Sequence, residues 1–328
     1  MRRLLTATLS LIAASSSAAP PVGRDFVTLE RPGNADAYPV HQTRWPGGVT
    51  SLADVTYSSI PGYRPMILDL YMPPKMRSPK PLIVYVHGGG WVAGTTRNAG
   101  AHGNFPAALA KLASEGFVVA SIEYRLADEA RYPAQLQDVR AALRFLKTNA
   151  VRYGLDPART GIWGGSAGGH LAALAALSCG AGNLDPAGTA APVGSECVQA
   201  AVTWYGVFDF AALAAGRKDR TDGAAEKLMG CSGPCSDAQY APASPVTYVD
   251  PRDPPFLLIH GEDDKTVPVA QSRLAEARLR AAGVPVETIY IPGVDHSFIG
   301  KSPAETRAAT LKATNATFDF FHKVLDRK

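Results

Sequence analysis

The sequence predicts a doubly wound α/β fold, a mostly parallel central sheet flanked by helices. Three observations carry that expectation. Short, dense apolar runs such as Leu82-Ile-Val-Tyr-Val86 and Phe256-Leu-Leu-Ile-His260 have the length and content of strands buried on both faces. Between such runs lie longer stretches with apolar residues at helical spacing, so strand and helix alternate along the chain. The loops richest in glycine, acid and histidine each follow an apolar run, which is where open α/β sheets place their sites.

Taken in order, Met1-Arg-Arg-Leu-Leu opens a basic start that leads into an apolar stretch and then Ser15-Ser-Ser-Ala-Ala19. This is how a cleavable secretory signal reads, with cleavage near Ala18 or Ala19. The apolar stretch is shorter than the ~20 residues needed to span a bilayer, so export without stable membrane insertion is expected. Residues 24–60 carry scattered Pro and Gly and no helical period, and read as an irregular arm packed over the fold. Strands follow at 66–72 and 81–86. A helix over 105–115 stops at Gly116, a strand covers 117–122, and a second helix covers 134–149. Residues 159–164 read as a strand and 171–178 as a helix. A loop over 180–194 precedes a strand at 198–205.

Residues 207–253 are too long for a plain connection and predict a cap over the site. Strands at 256–260 and 286–291 and helices at 269–282 and 304–324 complete the pattern. No internal repeat or low-complexity tract interrupts it, so residues 20–328 read as one domain with a cap-like insertion at about 207–253.

Hydrophobic residues make up 46% and charged residues 19% of the chain, an ordinary globular balance. The formal charge of +4 is spread along the sequence without a basic block, so no nucleic-acid partner is expected. Four cysteines, Cys179, Cys197, Cys231 and Cys235, suit an oxidising compartment and two disulfides. Proximity predicts Cys179 with Cys197 and Cys231 with Cys235. The cysteines lack a nearby histidine and have poor ligand spacing, so no metal is expected.

Thr160-Gly-Ile-Trp-Gly-Gly-Ser-Ala-Gly-Gly-His170 reads as a strand end, a sharp turn and a helix start. Gly164 and Gly168 flank Ser166 in the Gly-x-Ser-x-Gly pattern, whose small neighbours let the serine adopt a strained backbone and expose its hydroxyl. His87-Gly-Gly-Gly-Trp91 follows the strand ending at Val86. Its glycines expose backbone N–H groups of the kind that stabilise a negative oxygen in acyl transfer. Gly89, Gly90 and the amide of Ala167 are the expected donors, with Gly88 able to replace one, and His87 is expected to brace the loop. Three acids, Glu262-Asp-Asp264, leave one strand, and Asp295-His296 leaves the last. Serine, acid, histidine is an order in which imidazole can take the serine proton while a carboxylate orients it.

Together with Glu123-Tyr-Arg-Leu and Tyr132-Pro-Ala-Gln-Leu-Gln-Asp138, these segments resemble the alpha/beta hydrolase superfamily. Within it the chain is similar to hormone-sensitive-lipase-like esterases and to bacterial relatives of feruloyl esterases, over about residues 55 to 325. Two departures stand out: Gly165 occupies a position where relatives often carry an acid, and the cysteine-bearing stretches lie outside the family pattern.

The resemblance implies a secreted or periplasmic serine esterase that works through an acyl-enzyme on small or aromatic esters, of feruloyl or acetyl type, without metal or organic cofactor. Its substrate would be a small-molecule ester, plant cell-wall esters included. Ser166 would attack, His296 would shuttle the proton, and an acid would orient His296. In resembling families that acid stands three residues before a Val-Pro pair, which here is Val267-Pro268 and selects Asp264. Trp91, Trp204, Tyr205 and Phe208 are candidates for an aromatic acyl pocket, Trp91 and Tyr205 being the expected substrate-binding pair. Competing readings are a prolyl-oligopeptidase-like peptidase, whose propeller the chain has no room for, and a lipase, whose lid should be more apolar than one containing Arg217-Lys-Asp-Arg-Thr-Asp222. A non-catalytic ligand-binding relative would lose a member of the triad, and all three are present.

Overall fold

Nine strands form one sheet in the computed structural model, which describes residues 40–74, 76–185, 196–216 and 223–326. In chain order they are β1 (His41–Arg44), β2 (Thr50–Ser58), β3 (Met66–Met72), β4 (Lys80–Val86), β5 (Val118–Ile122), β6 (Leu155–Gly165), β7 (Ala200–Trp204), β8 (Phe256–Gly261) and β9 (Val286–Ile291). Across the sheet the order is β1-β2-β3-β5-β4-β6-β7-β8-β9. From β5 to β9 every pairing is parallel, whereas β1, β2 and β3 add on antiparallel.

The central strands are buried on both faces, as their composition requires. Along β4, Leu82, Val84 and Val86 enter one core and Ile83 and Tyr85 the other. The helices are α1 (Phe105–Ser114), α2 (Ala134–Thr148), α3 (Ala150–Tyr153), α4 (Ala167–Leu177), α5 (Phe210–Ala215), α6 (Ala224–Met229), α7 (Asp237–Tyr240), α8 (Ala270–Ala281) and α9 (Pro303–Leu325). Leu136 of α2, Leu171 of α4 and Leu279 of α8 join the first core; Leu109 of α1 and Phe321 of α9 join the second. All of α4 is buried, which suits a helix that is apolar on every side.

Two expectations are corrected here. The irregular arm expected over residues 24–60 contains β1 and β2, and β2 is nine residues long. Its register breaks between Leu52 and Val55 and again between Thr56 and Ser58, so the alternation that marks a strand is lost in the sequence. Met66–Met72 does not run with the parallel set but lies antiparallel to β5.

Between β7 and β8, α5, α6, α7 and two short 3₁₀ turns make up the described part of 207–253. Cys231 pairs with Cys235 within it, and Cys179 pairs with Cys197 between the end of α4 and β7. The signal expected at residues 1–19, the polar segment 217–222 and most of the loop expected over 180–194 lie outside the described residues. Among the described residues, no helix is long and apolar enough to cross a membrane.

Candidate active site

β6 ends at Gly165 and α4 starts at Ala167, leaving Ser166 to turn the chain at φ 56° and ψ −122°. Such a backbone costs a non-glycine residue roughly 1–3 kcal/mol and persists only where the surroundings enforce it. Here the Ser166 N–H donates to the Trp204 carbonyl, and the Ser166 carbonyl accepts from the His170 N–H, each at 2.9 Å. Space dictates the flanking glycines. A Cβ on Gly164 would run into the Gly168 carbonyl, and one on Gly168 into the carbonyls of Val86 and His87. At Gly165 a Cβ would lie 3.2 Å from the Tyr205 hydroxyl, so the tyrosine occupies the room that an acidic side chain would need.

The loops after β8 and β9 bring the acid and the histidine to this serine. His296 Nε2 lies 2.9 Å from Ser166 Oγ, and His296 Nδ1 lies 2.8 Å from Asp264 Oδ2. A carboxylate can only accept, so Nδ1–H donates to Asp264 and Nε2 is left as an acceptor facing the serine hydroxyl. The other oxygen, Asp264 Oδ1, accepts from the N–H groups of Thr266 and Val267 at 2.8 Å each. Burial alone would push the Asp264 carboxyl up, but hydrogen bonds from His260 and His296 outweigh it and hold the group well below the usual carboxylate range. Asp264 is therefore an ion at neutral pH. Of its neighbours, Asp263 is exposed and Glu262 pairs with Arg273 at 3.0 Å. Pro268 stands just ahead of α8, which begins at Ala270.

Two supports of this pair went unnoticed in the sequence. His260 is buried beneath Asp264, with Nε2 2.8 Å from the Val267 carbonyl and 3.3 Å from Asp264 Oδ2; its other nitrogen is 2.7 Å from Ser272 Oγ. The shorter contact to the carbonyl fixes the proton on Nε2, so the ring presents N–H toward the carboxylate. Asp295 Oδ1 accepts from the N–H of Lys265 and of His296, tying the acid loop to the histidine loop. Its place immediately before His296 was the available signal.

On the other side of Ser166 runs the glycine loop after β4. Gly88 packs so closely that a Cβ on it would lie 2.8 Å from the Gly165 carbonyl oxygen. Gly89 and Gly90 have φ of 117° and 60°, conformations that a side chain would resist. The Gly89 carbonyl accepts from Val92 and Ala93, which closes the loop into a turn. Among the described residues, no protein acceptor takes the N–H of Gly89, Gly90 or Ala167. His87 lies under this loop, stacked on Tyr124 at 4.3 Å, with Nδ1 2.8 Å from the Gly88 carbonyl. Burial pushes it down to about 4, so it stays neutral.

A cavity of about 450 Å³ opens over Ser166, bounded by the glycine loop, Tyr205, Val207, Leu213, Ala224 and Val267. Tyr205 meets His296 edge-on with ring centres 4.7 Å apart. Trp91 also lines the cavity, but it is nearly buried and its indole N–H donates to His170 Nδ1 at 3.1 Å, so much of the ring serves as a brace. Trp204 and Phe208, candidates for the same wall, are core residues instead. Trp204 donates to Thr317 Oγ1 and packs on Trp163, and Phe208 is fully buried in the first core. No group of histidine, cysteine or acidic side chains able to hold a metal ion occurs among the described residues.

Known proteins resemble this chain in sequence and fold. Esterase LipQ of Mycobacterium tuberculosis is 34% identical over 249 residues, 75% of this chain and 57% of its own length. The chain spans little more than half the length of the curated relatives it matches first. Among solved structures, a truncated carbohydrate esterase from gut microbiota superposes with a TM-score of 0.70 at 30% identity, over 89% of this chain and 99% of that one. A bifunctional GH43-CE protein of Bacteroides eggerthii superposes at 0.68 and 30% identity, over 83% of this chain and 38% of that one. The family model BD-FAE matches residues 68–279, and with the sheet order and the serine turn already described, the chain belongs to the BD-FAE family of alpha/beta hydrolases.

Proposed function

We propose that this chain is a serine carboxylic ester hydrolase that acts through an acyl-enzyme on small or aromatic acyl esters, feruloyl or acetyl, of carbohydrate alcohols. The observation that carries the reading is the unbroken chain of hydrogen bonds from Ser166 through His296 to an ionised Asp264. The names of the relatives, esterase and carbohydrate esterase, support the substrate class. Two disulfides suit a secreted or periplasmic setting, which the signal-like start also supports.

In this mechanism Ser166 Oγ attacks the ester carbonyl while His296 Nε2 takes its proton, and Asp264 stabilises the imidazolium that forms. The N–H groups of Gly89, Gly90 and Ala167 receive the oxyanion, each such donor being worth about 3–4 kcal/mol in related enzymes. Collapse expels the alcohol, protonated by His296, and leaves Ser166 acylated. Water activated by the same imidazole then releases the acid. Trp91 and Tyr205 form the aromatic side of the acyl pocket, and the volume of about 450 Å³ lies within the range of small-molecule sites.

The test is a panel of nitrophenyl esters of increasing acyl length, together with methyl ferulate and acetylated xylan. Turnover of short-chain or feruloyl esters, with a fluorophosphonate labelling Ser166 alone, is the expected result. Labelling elsewhere, or turnover confined to peptides, would overturn the reading.

A further inference from the structure

Across α6 from the catalytic cavity lies a second one of about 480 Å³, lined by Asp128, Glu129 and Arg131 on one side and Glu226, Lys227 and Ser232 on the other. Two features join it to the first. Ala224, at the start of α6, lines the catalytic cavity, while Glu226, Lys227 and Gly230 from the end of the same helix line the second. At a rise of about 1.5 Å per residue, Ala224 stands only about 3 Å along that helix from Glu226 and about 9 Å from Gly230. Beside it, Ala127 donates its N–H to the carbonyl of Trp91 at 2.8 Å, so one residue of each cavity wall is hydrogen-bonded to the other.

The chemistry of the second cavity differs from that of the first. Asp128 pairs with Lys227 at 2.6 Å, and Glu129 pairs with Arg64 at 2.9 Å. Glu226 accepts from the Tyr240 hydroxyl. Arg131 has no ion-pair partner among the described residues and lies against Gly230, where a Cβ would collide with its side chain. Glu226 and Arg131 are therefore the two charges left over, one of each sign. The lining thus carries three carboxylates and two cations, with acceptors and donors side by side. It suits a neutral group with several hydroxyls, which donate to the carboxylates and accept from the guanidinium and ammonium.

We infer that this cleft is an alcohol-side subsite that holds a sugar unit of the substrate beyond the ring bearing the ester. The inference rests on the carbohydrate-ester reading above. Binding energy gathered there is remote from the reacting bond, so it lowers KM or raises kcat/KM for extended substrates only. Small esters that end at the first cavity cannot use it.

The test compares acetylated xylotriose with 4-nitrophenyl acetate in the wild type, in Arg131→Ala, and in Ser232→Trp, which fills the cleft from an exposed position. Each variant should lose tenfold or more in kcat/KM on acetylated xylotriose and stay within twofold of wild type on 4-nitrophenyl acetate. Equal losses on both substrates, or no loss on the trisaccharide in either variant, would overturn the subsite. A wild type that cleaves 4-nitrophenyl acetate but gains nothing from acetylated xylose to acetylated xylotriose also overturns it, while leaving the serine-esterase reading intact. Failure of the wild type to cleave any ester removes that reading and the subsite with it.

Discussion

Replacing Asp264 by Asn tests the arrangement of the site at its most constrained point. The amide is nearly isosteric with the carboxylate but must choose which of its ends faces which partners. With its oxygen toward Thr266 and Val267 it keeps both hydrogen bonds from their N–H groups, now made at 2.8 Å. Turned the other way, its NH₂ would face two donors and forfeit both bonds, at about 1–3 kcal/mol each. The NH₂ therefore faces His296, which can answer only by accepting at Nδ1 and carrying its proton on Nε2. That proton points at Ser166 Oγ, where an acceptor is required. In a related triad this tautomer error costs about 10⁴ in turnover, or about 5 kcal/mol at 1.36 kcal/mol per decade.

Asp264→Asn is expected to lose at least a hundredfold in kcat on 4-nitrophenyl acetate with little change in KM. Asp263→Asn, whose carboxylate is exposed, should lose less than tenfold. Because Asp264 is held low, its stabilising contribution is present above the ordinary carboxylate pKa and disappears only as pH falls through the depressed folded value. The difference in melting temperature between wild type and Asp264→Asn should accordingly narrow in strong acid. If Asp264→Asn kept activity within tenfold of wild type, or Asp263→Asn were the more damaged, the tautomer argument would be wrong.

Three further outcomes are expected. Ser166→Gly and Ser166→Ala should both abolish ester cleavage and fluorophosphonate labelling, but the glycine variant should be the more stable by about 1 kcal/mol or more, since it relieves a strained φ of 56°; equal melting temperatures would refute the strain. His322, at the end of α9, is placed between Asp326 and Glu115. Burial would lower its pKa, but hydrogen bonds to those two acids outweigh that and raise it. Its contribution is therefore complete below the ordinary histidine value of about 6.5 and is lost as pH rises through the raised one. His322→Gln should then depress the melting temperature at pH 5.5 and hardly at pH 9, and an equal effect at both would exclude the ion pairs. Removing the Cys179–Cys197 bridge, which spans 18 residues, should cost roughly 3 kcal/mol, against roughly 2 for Cys231–Cys235, which spans 4, as loop-closure entropy scales with length; urea unfolding of the paired Cys→Ala variants decides the order.

The parallel core was readable because its strands are apolar on both faces: Leu82–Val86 and Phe256–His260 have no other economical arrangement. The serine turn was readable for a different reason, since Gly164 and Gly168 are demanded by backbone contacts that no other residue tolerates. The antiparallel edge was not. Two register breaks in β2 scatter its buried residues, and exposed β1 shows no burial pattern at all. His260 escaped notice because it sits inside an apolar strand where a buried histidine has no sequence mark, and its importance appears only when Asp264 folds back over it. Trp204 was misjudged by adjacency. The two rings pack in the same core, 6.5 Å apart, but Trp204 ends the strand inside that core and only Tyr205, just past the strand with a φ of 40°, lines the cavity.

Ser166 and His296 are 130 residues apart, and the strands leading to Ser166, Asp264 and His296 are β6, β8 and β9, with β7 between the first two. Under the proposed mechanism, turnover is consequently a reporter of complete assembly. Contacts of such long range form slowly, because the intervening loops must close before any bond rewards them. In refolding, helical ellipticity should return ahead of catalysis, and the lag measures the docking of β8 and β9. During synthesis Ser166 and the glycine loop leave the ribosome long before His296, so under the proposed mechanism the growing chain carries an inert serine until the last strand of the sheet has joined.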